Sequence, residues 1–126
     1  MPIFYRTVIT EVGPDVADLL DGGILILFAE GAPPELAEVS VLHKVAEGPT
    51  QSAPPVGAEI TIGSVRSKLT AIGGLAWNKI ADIGHVVINF DGAAEGGRPG
   101  ELSAQSVSTA DLAEAVRAGA AITISG

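Results

Sequence analysis

The chain has 126 residues, with 16 glycines, 8 prolines, no cysteine, and a formal net charge of -8 from 15 acidic and 7 basic side chains. That length predicts a single domain, residues 1–126, able to bury a core without disulfide or metal staples. The acid excess leaves no basic patch for nucleic acid, and the missing cysteines exclude disulfides and thiolate metal sites. No uncharged apolar run approaches the roughly 20 residues of a spanning helix, so no membrane insertion is expected. Met1–Arg6 lacks a basic segment followed by a long apolar one, so no signal peptide is expected and a cytoplasmic location is.

In chain order, Ile3–Val12 is rich in β-branched and aromatic residues and predicts a first strand. Gly13-Pro14-Asp15 breaks it, and Pro14–Leu20 predicts two helical turns with Val16, Leu19 and Leu20 on one side. Ile24–Phe28 is a continuous apolar run between Gly23 and Gly31, the pattern of a buried strand. After Pro33-Pro34, Glu35–Glu38 has room for one helical turn, and Val39–Val45 predicts a third strand carrying His43. Glu47–Gly57, with three prolines and two glycines, predicts a surface loop.

Glu59–Ile62 and Val65–Ile72 predict a hairpin turned at Gly63-Ser64. Leu75–Ile83 has helical spacing and Gly84 stops it; His85–Phe90 follows as a strand. Ala93–Gly100 predicts a loop with Arg98 and Pro99, and Glu101–Val107 a weak strand. Ser108 is placed to cap a helix over Thr109–Ala118, and Ala121–Ser125 ends the chain as a strand. Seven or eight short strands with two or three short helices do not make regular βαβ units. They predict a mainly all-β fold, a small closed or nearly closed β-barrel decorated by helices.

His43 is one of two histidines, and no cysteine competes with it as a nucleophile. A neutral imidazole at a strand end can attack phosphorus, take a proton or hold a metal. From local pattern alone a lone strand-end histidine is more often structural, and the same holds for His85. No short-spacing ligand pair points to a metal, no Gly-x-Ser-x-Gly elbow to a hydrolase, and Gly92–Gly97 lacks the Lys-Ser/Thr of a phosphate loop. Pattern by itself stops at a small acidic β-domain.

Two segments carry more. Phe28-Ala29-Glu30-Gly31-Ala32-Pro33 through Val41-Leu42-His43, and Ile83-Gly84-His85-Val86-Val87-Ile88-Asn89-Phe90-Asp91-Gly92, resemble the glucitol/sorbitol-specific IIA component of the bacterial phosphotransferase system (PTS). Tyr5–Thr10 followed by Gly13 agrees, and the resemblance runs from about Phe4 to Gly100. It implies a phosphoryl carrier with a small β-barrel fold and no cofactor. The family's histidine accepts phosphate from phospho-HPr and passes it to the IIB component, which serves the membrane IIC component in polyol uptake. The phosphorylated histidine falls on His43. Family members often carry a second histidine two residues later; here that position is Val45, with Lys44 between. Lys44 and His85 are the possible supporting groups, although strand alternation would turn Lys44 to the face opposite His43. The alternative function is a binding or regulatory module that keeps the barrel and has lost the transfer.

Overall fold

The computed structural model describes residues 2–94 and 98–126. Eight strands run β1 (Ile3–Val12), β2 (Ile24–Ala29), β3 (Val41–Glu47), β4 (Glu59–Ile62), β5 (Val65–Ile72), β6 (Val86–Asn89), β7 (Glu101–Ala104) and β8 (Ala121–Ser125). Four short helices lie between them: α1 (Val16–Asp21), α2 (Pro34–Ala37), α3 (Ala76–Ile83) and α4 (Thr109–Ala115). The strands close into a barrel in the order β1-β3-β2-β6-β7-β5-β4-β8. Closure removes the sheet edges, which otherwise offer unpaired backbone groups to other chains.

The predicted barrel is present, with four helices where two or three were expected. Several ends differ. β3 starts at Val41 and runs to Glu47, because Ser40 and Glu38 accept from the amides of Gly13 and Asp15 in the adjoining turn. The weak strand after Glu101 ends at Ala104, and α4 ends at Ala115, where Val116 turns extended. The Ser108 cap is present: its Oγ accepts from the Asp111 amide at 3.3 Å. The hairpin turned at Gly63-Ser64 is present as β4 and β5. Part of the predicted Ala93–Gly100 loop, residues 95–97, lies outside the described residues.

The sheet is mixed. β2 pairs parallel with β3, and β6 parallel with β7; the other six pairings are antiparallel. Parallel neighbours need a crossover of about a dozen residues. The two Pro/Gly-rich segments, residues 30–40 and 90–100, supply that length.

The core follows from alternation. Tyr5, Thr7 and Ile9 of β1 face inward, as do Leu25 and Leu27 of β2, Ile60 and Ile62 of β4, and Ile122 and Ile124 of β8. α1 and α4 pack on each other and add Val16, Leu20 and Leu112 to the same core. Two register shifts interrupt the β1–β3 ladder, between Arg6 and Thr7 and between Ile9 and Glu11. They bracket the pair Ile9–His43, and such irregularities re-aim the side chains beside them.

α3 ends at Gly84, which has φ 63° and returns its amide to the Ile80 carbonyl. A β-carbon there would also lie 2.9 Å from the Ala29 β-carbon. A left-handed conformation costs a non-glycine residue about 1–2 kcal/mol before any clash. Gly84→Ala is therefore expected to lower the unfolding free energy by at least about that amount; urea denaturation with an unchanged midpoint would refute the tight fit at this junction.

Candidate functional site

His43 sits inside the barrel. Its neighbours across the ladders are Ile9 on β1 and Ala29 on β2. It is only 2% exposed. Its Nε2 lies 2.7 Å from the Gly84 carbonyl, and its Nδ1 lies 2.6 Å from the Thr7 hydroxyl. A carbonyl can only accept, so Nε2 carries the proton in the neutral ring. Nδ1 then bears the lone pair, and Thr7 donates to it. One tautomer is thus fixed by two partners from opposite sides.

The contact with Thr7 follows from register. Thr7 is opposite Val45, and His43 is two residues before Val45 on the same face. Diagonal neighbours of this kind are within side-chain reach across an antiparallel pair. Tyr5 continues the row. Its ring meets His43 edge-on at 6.3 Å and Trp77 edge-on at 6.1 Å, and the indole Nε1–H donates to the Thr50 carbonyl at 2.7 Å. The Tyr5 hydroxyl is buried with no partner in hydrogen-bond geometry among the described residues. Burial pushes its pKa up to about 12, while the nearby Thr7 hydroxyl pulls the other way.

Burial also pushes the His43 pKa below its ordinary value, partly opposed by the Gly84 carbonyl and the Glu30 charge. The imidazole is therefore neutral at pH 7, the form a nucleophile needs.

Lys44 is exposed, on the face opposite the buried His43 ring, as strand alternation predicts. Val45 is 42% exposed. His85 comes closer. Gly84 accepts from His43 and the next residue is His85, so the two segments that carry the family resemblance meet here. His85 nevertheless faces away. Its Nδ1–H donates to the Leu27 carbonyl at 3.1 Å, its ring lies over Phe28 with centroids 4.9 Å apart, and Nε2 bonds no described residue. His85 lines a cleft of about 410 Å³ with Lys79, Arg98 and Glu101. Arg98 is mostly exposed and reaches Glu101 only at 3.9 Å, a pairing that contributes little. A larger depression of about 1340 Å³ beside the β4–β5 turn and α4 contains neither histidine.

Sequence reasoning passed over Thr7, Tyr5 and Trp77. The available signal was Thr7 itself, a polar residue on a face otherwise set by Tyr5 and Ile9. A buried hydroxyl in such a row needs a partner.

A closed mixed barrel with an inward histidine of fixed tautomer, joined to a second histidine segment through one glycine carbonyl, defines a small β-barrel protein with one buried histidine site. Comparison with known proteins makes the class specific. The model of the PTS system glucitol/sorbitol-specific IIA component matches residues 4–123. Curated PTS glucitol/sorbitol-specific EIIA components from Shigella flexneri and Escherichia coli are each 35% identical over 102 residues, covering 81% of this chain and 81% of theirs. The crystal structure of a PTS system IIA component from Enterococcus faecalis superposes with a TM-score of 0.73 at 20% identity, covering 96% of this chain and 99% of that one; it shows the shared fold. The chain belongs to the glucitol/sorbitol-specific IIA component family of the PTS.

The His43 environment gives a stability prediction. Well above about pH 6.5 both the folded and the unfolded imidazole are neutral, so this group adds no pH dependence there. Below that, the unfolded chain takes up a proton that the buried ring resists, so stability falls until the pH passes the lowered folded pKa. Urea unfolding between pH 7 and 5.5 is expected to show this decline and to show a shallower one in His43→Gln. Equal slopes in the two proteins would refute the assignment.

Proposed function

We propose that this protein is a phosphoryl carrier of the glucitol/sorbitol branch of the PTS, cytoplasmic and working through a phosphohistidine at His43. On this reading it takes phosphate from phospho-HPr and passes it to the IIB component, which serves the membrane IIC component in uptake of glucitol, sorbitol or a related polyol. The observation that carries the reading is His43 itself. It is a neutral imidazole of one tautomer, at the place where the two family segments touch. Phosphoryl transfer asks the protein chiefly for position and for compensation of charge on the equatorial oxygens. It needs no metal and no cofactor. Lys79 and Arg98 line the cleft with His85, the residue after the Gly84 peptide that covers Nε2, and are the cations proposed for that compensation once the peptide moves.

His43 has to be uncovered before it can attack, since both ring nitrogens are bonded and the ring is 2% exposed. That same observation favours one second reading, a binding or regulatory module of the same barrel that docks on PTS partners without transfer. Val45 in the place of the family's frequent second histidine fits that reading as well.

Incubation with phosphoenolpyruvate, Enzyme I and HPr separates the two. The carrier gains one acid-labile, base-stable phosphate by intact mass, and His43→Gln and His43→Ala do not. No gain on the unaltered chain, with binding to HPr retained, would establish the docking module instead. A phosphate that persists in His43→Gln and disappears in His85→Asn would keep the carrier and move the acceptor to His85.

A further inference from the structure

The resting contacts of His43 are unequal, and the difference identifies a group that prepares it. On the Nδ1 side stand Thr7, with 0% exposure, and then Tyr5 and Trp77, at 1% and 6%. On the Nε2 side stands one peptide, that of Gly84, at the left-handed end of α3, with no side chain of its own. A phosphoryl group approaching Nε2 therefore meets the Gly84 peptide, packed on Ala29, and one approaching Nδ1 meets the core side chains. Yet Nε2 is the nitrogen that carries the proton at rest.

We propose that Thr7 is the positioning residue that lets His43 change tautomer, from the resting form masked by Gly84 to a form with the Nε2 lone pair free to attack phosphorus. This rests on the reading of His43 as the acceptor.

A hydroxyl can both donate and accept, and it changes role by rotating one hydrogen, with no movement of heavy atoms. At rest the Thr7 hydroxyl donates to Nδ1. When the Gly84 carbonyl moves off and the ring is uncovered, Nε2 gives its proton to water and Nδ1 takes one from water before the ring settles back against Thr7, so the ring stays neutral. Thr7 Oγ1 then accepts from Nδ1–H and holds the ring at the same 2.6 Å contact. The Thr7 hydroxyl hydrogen turns toward the nearby Tyr5 oxygen, which has no partner at rest among the described residues and closes on Thr7 by a small shift. In the transfer step the P–Nε2 bond forms as the donor's P–N bond breaks, and the electron pair returns to the donor nitrogen. The Nδ1 proton stays on His43, bonded to Thr7. No other side chain hydrogen-bonds Nδ1 among the described residues. A carboxylate in that place could only accept, and would hold the ring charged; a valine could do neither.

The test compares Thr7→Val, which keeps the shape, with Thr7→Ser, which keeps the hydroxyl. Phosphorylation by phospho-HPr is followed by mass, and the ring protons by ¹⁵N NMR of histidine-labelled protein. The unphosphorylated chain is expected to show Nε2–H, and the phosphorylated chain phosphorus on Nε2 with Nδ1 protonated. Thr7→Val is expected to slow transfer at least tenfold with little change in the donor KM, and to lose the single resting tautomer. Thr7→Ser should return the rate to within a few-fold. Phosphate on Nδ1 in the unaltered chain would overturn the role of Thr7 even if Thr7→Val fails to fold. A folded Thr7→Val that transfers at the normal rate would overturn it too. An unaltered chain that takes no phosphate at all overturns the carrier reading beneath it.

Discussion

One hydrogen bond, from His43 Nε2–H to the Gly84 carbonyl, joins parts of the chain far apart in sequence and sets much of the site. It ties a barrel strand to the end of α3 and so brings the two family segments together. A net contribution of about 1 kcal/mol is typical for such a bond. Its greater effect is on identity. Because a carbonyl cannot donate, the bond decides which nitrogen carries the proton, and through Thr7 it fixes the ring from the other side. Removing either partner would leave a buried polar atom without compensation, which costs about 1–3 kcal/mol. The glycine at residue 84 is required by the same arrangement, since only a residue without a β-carbon fits against Ala29 while its chain turns left-handed.

The barrel explains why these groups can be held so closely. Each strand is paired on both sides, so the backbone that carries His43 is held along two edges, by β1 and by β2. The β1–β3 pairing carries irregularities on both sides of the Ile9–His43 pair, and these are the places where the ladder already gives. The closed wall and the irregular β1–β3 ladder thus lie against one another at His43.

Much of this architecture was legible in the residues. The strand at Ile3–Val12, the hairpin at Gly63-Ser64, the stop at Gly84 and the cap at Ser108 follow from alternation and turn chemistry, and the structure has all four. The outward turn of Lys44 followed from period-two alternation alone. What was not legible is pairing between distant strands. Nothing in Ile24–Phe28 or Val39–Val45 announces that those strands run parallel, because direction depends on how residues 30–40 cross the barrel end. The site was half visible for the same reason. His43 and His85 stand out as the chain's only histidines, but Thr7 becomes meaningful only when register places it diagonal to His43. The segment ends were misjudged where local hydrogen bonds override propensity, as at Ser40 and Val116.

The chain has one tyrosine and one tryptophan, and their rings are neighbours in the wall behind His43. Light absorbed by Tyr5 therefore passes to Trp77 as long as that wall is intact, and the tyrosine stays dark. The indole is in turn fastened to the loop after β3 through Thr50. The protein carries an optical gauge on the very stack that backs its imidazole, one that needs no label and reads a single location.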